Sequence, residues 1–327
     1  MIKVIVAITT YNLEKYISRA LDSVLSQKTK FPFRIIVADD HSSDGTPDIL
    51  SEYQKKYPEI IEVMYSDTNL GSVKNANRIF DGIQCEYFSF LDGDDYWVTD
   101  SRLQMQVDFL DTNPKYMMCG GETCFLKNDS INGAVIPKER LDATYYFEDY
   151  LKGRSPFVHT SSILLRNSIF INGVPDVFKT SVGTFEECTY RGEDFRFLLH
   201  LEKGPIYVFP DVLSVYRIHE KGMWQGKTMV KRKLEYVISR NGYAKYFDGK
   251  YNSTFRKWAK GSINNLMKYI ILCFLRFNRC VITAEQKEML DLYMQDVARN
   301  RTYHSLWTFN NFMLFKIVLK YTIKISE

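Results

Sequence analysis

Six cysteines are scattered through 327 residues with no Cys-x-x-Cys pair. That spacing excludes a disulfide scaffold and a zinc ribbon. Cys85, Cys119, Cys124, Cys188, Cys273 and Cys280 therefore read as reduced thiols of a cytoplasmic protein. No apolar run approaches the ~18 residues of a membrane span. The longest, Tyr269 to Leu275, is boxed in by Lys268 and Arg276. A secretory leader is missing too, because the run after Lys3 ends within a few residues at Thr9-Thr10-Tyr11-Asn12. Two nucleotide signatures are also absent. Thr9-Thr10-Tyr11-Asn12-Leu13-Glu14 stands where a dinucleotide fold carries GxGxxG, and no GxxxxGK[ST] loop occurs. Nicotinamide, flavin and P-loop chemistry are set aside on that ground.

What is present is an ordinary folded composition, 45% hydrophobic and 25% charged, with 22 Tyr and 22 Phe. Disorder over most of the chain is excluded. The net charge of +4 hides a split: residues 1–220 hold 23 Lys and Arg against 32 Asp and Glu, whereas residues 221–327 hold 20 against 7. Two parts are expected, an acidic 1–220 and a basic 221–327. The acidic part is a poor binder of nucleic acid, and no nucleic-acid partner is expected. The basic part suits an anionic membrane surface or an acidic neighbour.

The first hundred residues alternate between two periods. Val4 to Ile8, Arg34 to Ala38, Ile60 to Tyr65 and Tyr87 to Leu91 read as buried strands. Between them lie helical patterns: Ile17, Ala20, Leu21, Val24 and Leu25, with Asn12 as N-cap; Pro47 to Lys56; and Val73 to Ile83. This alternation predicts an α/β fold with a mostly parallel sheet and flanking helices. Its strand ends gather Thr9–Asn12, Asp39–Ser42 and Asp92–Asp95 on one rim, where such sheets bind ligands. After residue 115 the pattern weakens. Gly120-Gly121 and Asn132-Gly133 read as turns, Ser161 to Arg166 as a strand and Phe195 to Leu201 as a helix. Residues 228–327 read as mostly helical.

Asp92-Gly93-Asp94-Asp95 carries the chemistry. Three carboxylates within four residues repel one another unless a cation or solvent relieves them. Mg²⁺ and its like take one or two carboxylates, with phosphates and water completing the shell. Gly93 allows a sharp turn and close approach of a ligand. The plain alternative is a solvated acidic turn that caps a helix.

The chain resembles the inverting glycosyltransferases of the GT-A fold, family 2. The likeness rests on Val4 to Asn12, Val37 to Thr46, Asn69-Leu70-Gly71 through Asn77, Tyr87 to Trp97, Gly192-Glu193-Asp194 and Tyr216-Arg217-Ile218-His219. These six segments, in order over residues 1 to about 220, imply a GT-A-like (Rossmann-like) catalytic domain. Its nucleotide-sugar half would be about 1–100 and its acceptor half about 101–220. A basic, mostly helical region, 221–327, follows without a match. The resemblance implies Thr9, Tyr11, Asp40, Lys74, Asp92 and Asp94 as nucleotide binders, with Tyr11 stacking on uracil or thymine and Asp40 accepting from the base imide. Asp94, Asp95 and His219 would hold Mn²⁺ or Mg²⁺, and which of the two aspartates is the main ligand stays open. Asp194 is the implied general base, with Glu193 raising its pKa by like-charge repulsion. His159 and Trp224 are acceptor-side candidates, Trp224 at the tip of a lid, although a satisfied structural histidine is the plainer reading of His159. Gly93 replaces the commoner serine of the family, and the change is expected to be tolerated.

The implied reaction moves a sugar from a UDP- or dTDP-sugar to a hydroxyl of a glycan or lipid-linked acceptor, in cell-surface polysaccharide synthesis. A sugar-1-phosphate nucleotidylyltransferase would need a glycine-rich basic loop after strand one, which is missing. A non-catalytic nucleotide-sugar-binding subunit of an assembly complex would have no need of Asp94, Asp95 and Asp194. For 221–327 three roles stay open: packing on the catalytic domain, self-association, or a peripheral foothold at the inner membrane face. For the last, Arg256, Lys257, Lys260 and Lys268 lie beside Ile270, Ile271 and Phe274.

Overall fold

The computed structural model describes residues 2–184, 186–190, 193–220, 222, 227–247, 251–277, 280–299 and 323–325. They fall into two compact units, Met1–Thr180 with Glu193–Gly222, and Ser181–Gly192 with Met223–Glu327.

The first unit opens with β1 (Ile2–Thr10), α1 (Ile17–Leu25), β2 (Phe33–Asp39), α2 (Thr46–Lys56), β3 (Ile61–Met64), α3 (Ser72–Phe80) and β4 (Cys85–Asp92). Strands β3, β2, β1 and β4 are neighbours in that order and parallel. β1, β2 and β4 are largely covered on both faces, which explains their apolar runs, whereas the edge strand β3 exposes Glu62. Val4, Val6 and Ile8 pack with Ile17, Leu21 and Val24 on one side. On the other side Phe88 and Phe90 meet Phe80, at ring separations of 5.3 and 5.0 Å, and Phe170 stacks on Phe80 at 4.2 Å. Helix α1 begins at Ile17, not at Asn12. Asn12 instead takes a left-handed φ of 53°, and its Oδ1 accepts from the Ser43 N–H at 2.8 Å, so it ties two loops together. Helix α3 stops at Phe80, ahead of Gly82 with φ 89°.

After β5 (Tyr96–Trp97) and α4 (Arg102–Thr112) come β6 (Met118–Lys127), β7 (Ser130–Ala134), β8 (Ala143–Tyr145), α5 (Phe147–Leu151), a 3₁₀ turn at Thr160–Ser162, β9 (Leu164–Arg166) and α6 (Asp176–Thr180). Beyond the second unit's α7 (Glu187–Tyr190), the first unit resumes with α8 (Glu193–Lys203) and β10 (Ile206–Ile218). The sheet order is β3-β2-β1-β4-β9-β6-β10-β5, with β7 on β6 and β8 on β10. Gly120 and Gly121 are not a turn; they sit inside β6. A Cβ on Gly120 would come within 2.7 Å of Val158 Cγ1, and one on Gly121 within 2.8 Å of the Asp211 carbonyl oxygen. They are glycines of close approach. Asn132-Gly133 lies in β7, and the hairpin turns at Asn128 and Asp129, both with positive φ, as a two-residue turn requires. Of the Ser161–Arg166 segment only Leu164–Arg166 is strand.

Strand direction decides what meets at the rim. β9 is antiparallel to both β4 and β6, and β10 is parallel to β6. β10 therefore runs in the sense of β4, and its carboxyl end reaches the same edge of the sheet. β1 has β2 on one side and β4 on the other, so the strand order reverses there and leaves a crevice beyond Thr10 and Asp92.

The second unit also holds α9 (Met229–Tyr246), α10 (Asn252–Phe277), β11 (Cys280–Ile282), α11 (Ala284–Arg299) and β12 (Ile323–Ile325). Its core comprises Leu234, Val237 and Ile238 of α9, Ile263, Leu266 and Ile270 of α10, and Leu290 and Tyr293 of α11. Gly242 lets α9 approach α7: a Cβ there would come within 2.3 Å of Thr189 Cγ2. Of the region expected to be mostly helical, residues 300–322 lie outside the described residues. Among the described residues no helix is long and apolar enough to cross a membrane.

Candidate active site

The acidic segment after β4 is folded back on itself. The Asp95 N–H donates to the Asp92 carbonyl at 3.0 Å, and the Gly93 N–H to the Thr9 carbonyl at 3.1 Å. That second bond locks the carboxyl ends of β1 and β4 together. Gly93 is required by space rather than by a turn. A Cβ there would lie 3.0 Å from Leu13 Cδ1 and 3.1 Å from both Ile17 Cδ1 and the Thr9 carbonyl oxygen.

β5 then pairs antiparallel with β10 and draws the late loop over the carboxylates. The Arg217 N–H donates to Asp95 Oδ1 at 3.0 Å, and Arg217 Nε donates to the Asp94 carbonyl at 3.0 Å. His219 Nε2 lies 2.9 Å from Asp94 Oδ2. The His219 ring sits 4.9 Å from Tyr16, whose face also carries the Arg217 guanidinium at 4.7 Å. Arg217 and Tyr96 (the latter beneath the Arg19 guanidinium at 3.6 Å) stand inside the quoted motifs but were given no role there, and Tyr16 was not singled out. A backbone donor leaves no residue-type signal.

Asp95 is 1% exposed, and its Oδ2 has no hydrogen-bond partner among the described residues. Burial, reinforced by the charges of Asp94 and Asp92, pushes its carboxyl well above the usual range, against the pull of the Arg217 N–H and of the Ser161 side chain. His159 Nδ1 stands 3.9 Å from that bare oxygen. His159 is itself buried, with Nδ1 2.6 Å from Ser161 Oγ, and Ser161 Oγ reaches Ser214 Oγ at 3.2 Å. A buried hydroxyl network thus holds His159 beside the cluster.

The remaining candidates are placed as follows. Thr9 is half-buried and Tyr11 48% exposed, at and just beyond the carboxyl end of β1. Asp40 is buried, and its two oxygens accept from the Leu70 N–H at 2.7 Å and the Gly71 N–H at 3.0 Å, which fixes the loop before α3. Its neighbour Asp39 closes a local turn through Ser42, whose hydroxyl donates at 2.6 Å. Lys74 is exposed in the first turn of α3. Arg78, one turn on, donates to Asn75 Oδ1 at 3.0 Å and to the Tyr65 carbonyl at 2.5 Å. Asp92 is half-buried.

Asp194 is half-buried in the first turn of α8. The helix runs against β4 in the opposite sense: the His200 ring is 5.8 Å from Phe88, and the Arg196 guanidinium 4.4 Å from Phe90. The side chain of Glu193, and the lid segment with Trp224, lie outside the described residues.

As a metal half-site the residues fit. Asp94 and His219 are in contact, and Asp95 offers one bare buried oxygen. Among the described residues no three ligand side chains cluster to hold an ion, so Asp94, Asp95 and His219 do not form a complete ligand set by themselves.

The fold and rim define an α/β protein with acidic strand ends at its topological switch point. Residues 5–173, more than half of the chain, match the family model described as glycosyl transferase family 2, and the chain belongs to that family. An uncharacterized protein of Mycobacterium tuberculosis is 31% identical over 227 residues, covering 69% of this chain and 61% of that protein. The chain thus spans about three fifths of the length of that relative. The poly(ribitol-phosphate) beta-glucosyltransferase of Bacillus spizizenii is 32% identical over 143 residues, 43% of this chain and 22% of that enzyme. In structure, S. aureus TarS 1-349 in complex with UDP-GlcNAc superposes with a TM-score of 0.61 at 19% identity, covering 98% of this chain and 88% of that one. The likeness shows the GT-A-like fold.

Proposed function

We propose that this chain transfers a sugar from a UDP- or dTDP-sugar to a hydroxyl of a glycan or lipid-linked acceptor, with inversion, in cell-surface polysaccharide synthesis. The observation that carries the reading is the convergence of Asp94, Asp95, Arg217 and His219 at the carboxyl ends of β4 and β10. Family membership, a glucosyltransferase among the relatives, and a structural neighbour in complex with UDP-GlcNAc support it.

In this reading Tyr11 and Thr9, at and just beyond the carboxyl end of β1, receive the base and ribose. Asp40 acts there through the loop it braces, and its carboxylate retains lone pairs for the base imide. Asp94 and Asp95, with His219, would hold Mn²⁺ or Mg²⁺, which supplies Lewis-acid neutralisation of the departing diphosphate. Asp194 takes the proton from the acceptor hydroxyl as its oxygen forms the bond to the sugar's anomeric carbon. The bond to the diphosphate breaks on the opposite face, and its electron pair leaves with the nucleotide.

Nucleotide release from a panel of UDP- and dTDP-sugars, with Mn²⁺ or Mg²⁺, tests the reading. Asp194→Asn should lower turnover by about 10²–10⁴-fold while sparing donor binding. An NMR spectrum of the product should show a β-linkage from an α-linked donor. Full activity in Asp194→Asn removes the assigned base, and UDP binding without turnover on any acceptor leaves only a binding subunit.

A further inference from the structure

The second unit carries a surface to which the proposed transfer assigns no role. α9 holds five Lys or Arg and one acid, Glu235, whereas α10 holds five and no acid. Glu235 is buried and paired with Lys227 at 2.8 Å, while Lys231 and Lys245 of α9 pair with Glu285 and Glu186, so the α9 cations that matter for this face are Lys233 and Arg240. The two helices share a cationic, aromatic seam. Lys233 Nζ lies 5.5 Å over the Tyr269 ring, and the Arg240 guanidinium lies 5.8 Å from Tyr236 and 5.2 Å from Trp258. Lys233, Tyr236 and Arg240 recur at helical spacing on one stripe of α9, as Trp258, Tyr269 and Leu272 do on α10.

This face is not uniformly polar. Tyr236 is 46% and Leu272 61% exposed, and Lys257 and Lys268 are exposed along the same side of α10. Ile270, expected at an interface from the sequence, is in the core at 1% exposure, so Leu272 and Tyr236 take its place. Aromatic rings and aliphatic stems capped by cations suit the boundary between headgroups and acyl chains, where the ring or stem enters and the charge stays outside. A soluble polyanion would match the charge but gain nothing from Leu272.

We propose that the α9–α10 face docks this chain peripherally on an anionic lipid surface, with Tyr236 and Leu272 entering the interface and Lys233, Arg240 and Lys268 pairing with headgroups. The inference is independent of the transfer reaction.

Co-sedimentation of the full chain tests it, using vesicles of equal parts phosphatidylglycerol and phosphatidylcholine against pure phosphatidylcholine. Binding is expected only with the anionic vesicles and should weaken as salt rises. Joint Lys233→Glu, Arg240→Glu and Lys268→Glu should lower partitioning by roughly 100-fold or more. The corresponding Gln variants give the same direction if the reversal disturbs folding. Tyr236→Ser with Leu272→Ser should cost roughly tenfold and leave the salt slope unchanged. The proposal is overturned by absent binding to anionic vesicles at low salt, or by binding insensitive to these substitutions. A concentration-dependent dimer or an oligonucleotide complex that the same variants abolish, with vesicles unbound, also overturns it.

Discussion

The backbone N–H of Arg217 donates to Asp95 Oδ1 at 3.0 Å, joining residues 122 positions apart. The contact exists because β10 runs in the sense of β4 and pairs with β5, so the strand that ends at Ile218 passes over the turn that begins at Asp92. One oxygen of Asp95 is thus used for structure. The other is buried and bare, next to Asp94 and Asp92. A buried carboxylate in that setting is costly to ionise unless a cation sits beside it.

Asp95→Asn separates the two uses. Asn keeps an oxygen for the Arg217 N–H and removes a charge that burial opposes. The variant should be as stable as the parent or more so, by about 1 kcal/mol, yet lose at least about 100-fold in sugar-nucleotide turnover. Thermal melts and nucleotide-release assays check both halves. A variant that is active, or that is strongly destabilised, contradicts this division of roles.

Asp40→Asn probes the neighbouring loop. Both Asp40 oxygens accept backbone N–H groups, from Leu70 and Gly71. An amide must turn its NH₂ toward one of those donors, which leaves a buried polar pair unmatched at about 1–3 kcal/mol. Melting temperature and UDP affinity should fall together. Loss of affinity at unchanged stability would instead assign Asp40 to the base alone.

Gly93→Ser should not be silent, contrary to what the family pattern suggests. The new Cβ meets Leu13 and Ile17 side chains and the Thr9 carbonyl within 3.1 Å. The carbonyl cannot yield without stretching the Gly93–Thr9 bond that ties β1 to β4. Overpacking of this kind costs about 1–3 kcal/mol. Urea denaturation of the variant gives the value directly, and an unchanged midpoint would mean that the two side chains repack freely.

The half built on β1 to β4 was legible because strands buried on both faces leave unbroken apolar runs, and β1, β2 and β4 have them. The half built on β6 and β10 was not. Gly120 and Gly121 mimic a turn although they sit mid-strand, where the Val158 and Leu213 side chains and the Asp211 carbonyl leave no room for a Cβ. In β10, Pro210 and Asp211 interrupt the apolar pattern at the point where its register with β6 shifts. Asp94, Asp95 and His219 were readable as carboxylates and an imidazole with a shared chemistry. Their meeting depends on the direction of β10, which periodicity does not encode. The contributions of Arg217 through its N–H and of Tyr16 through its ring face are equally hidden, since neither needs a distinctive residue pattern.

His200 gives the fold an acid limit. It lies fully buried on α8, with Nδ1 2.7 Å from the Arg196 carbonyl and its ring edge toward Phe88. Burial holds its pKa down at about 4. In the unfolded chain the imidazole titrates near its ordinary 6.5. Between those values the unfolded state binds the extra proton, so stability is fully present above about pH 6.5 and drains away as pH falls toward 4. This one group should make the protein about 2 kcal/mol less stable at pH 5 than at pH 7. Urea titrations at both pH values measure the difference, and His200→Leu isolates it from the carboxylates. The variant should lose about 2 kcal/mol less on acidification than the parent. An equal loss in both would mean that His200 is already charged in the fold, and that the acid limit is set elsewhere.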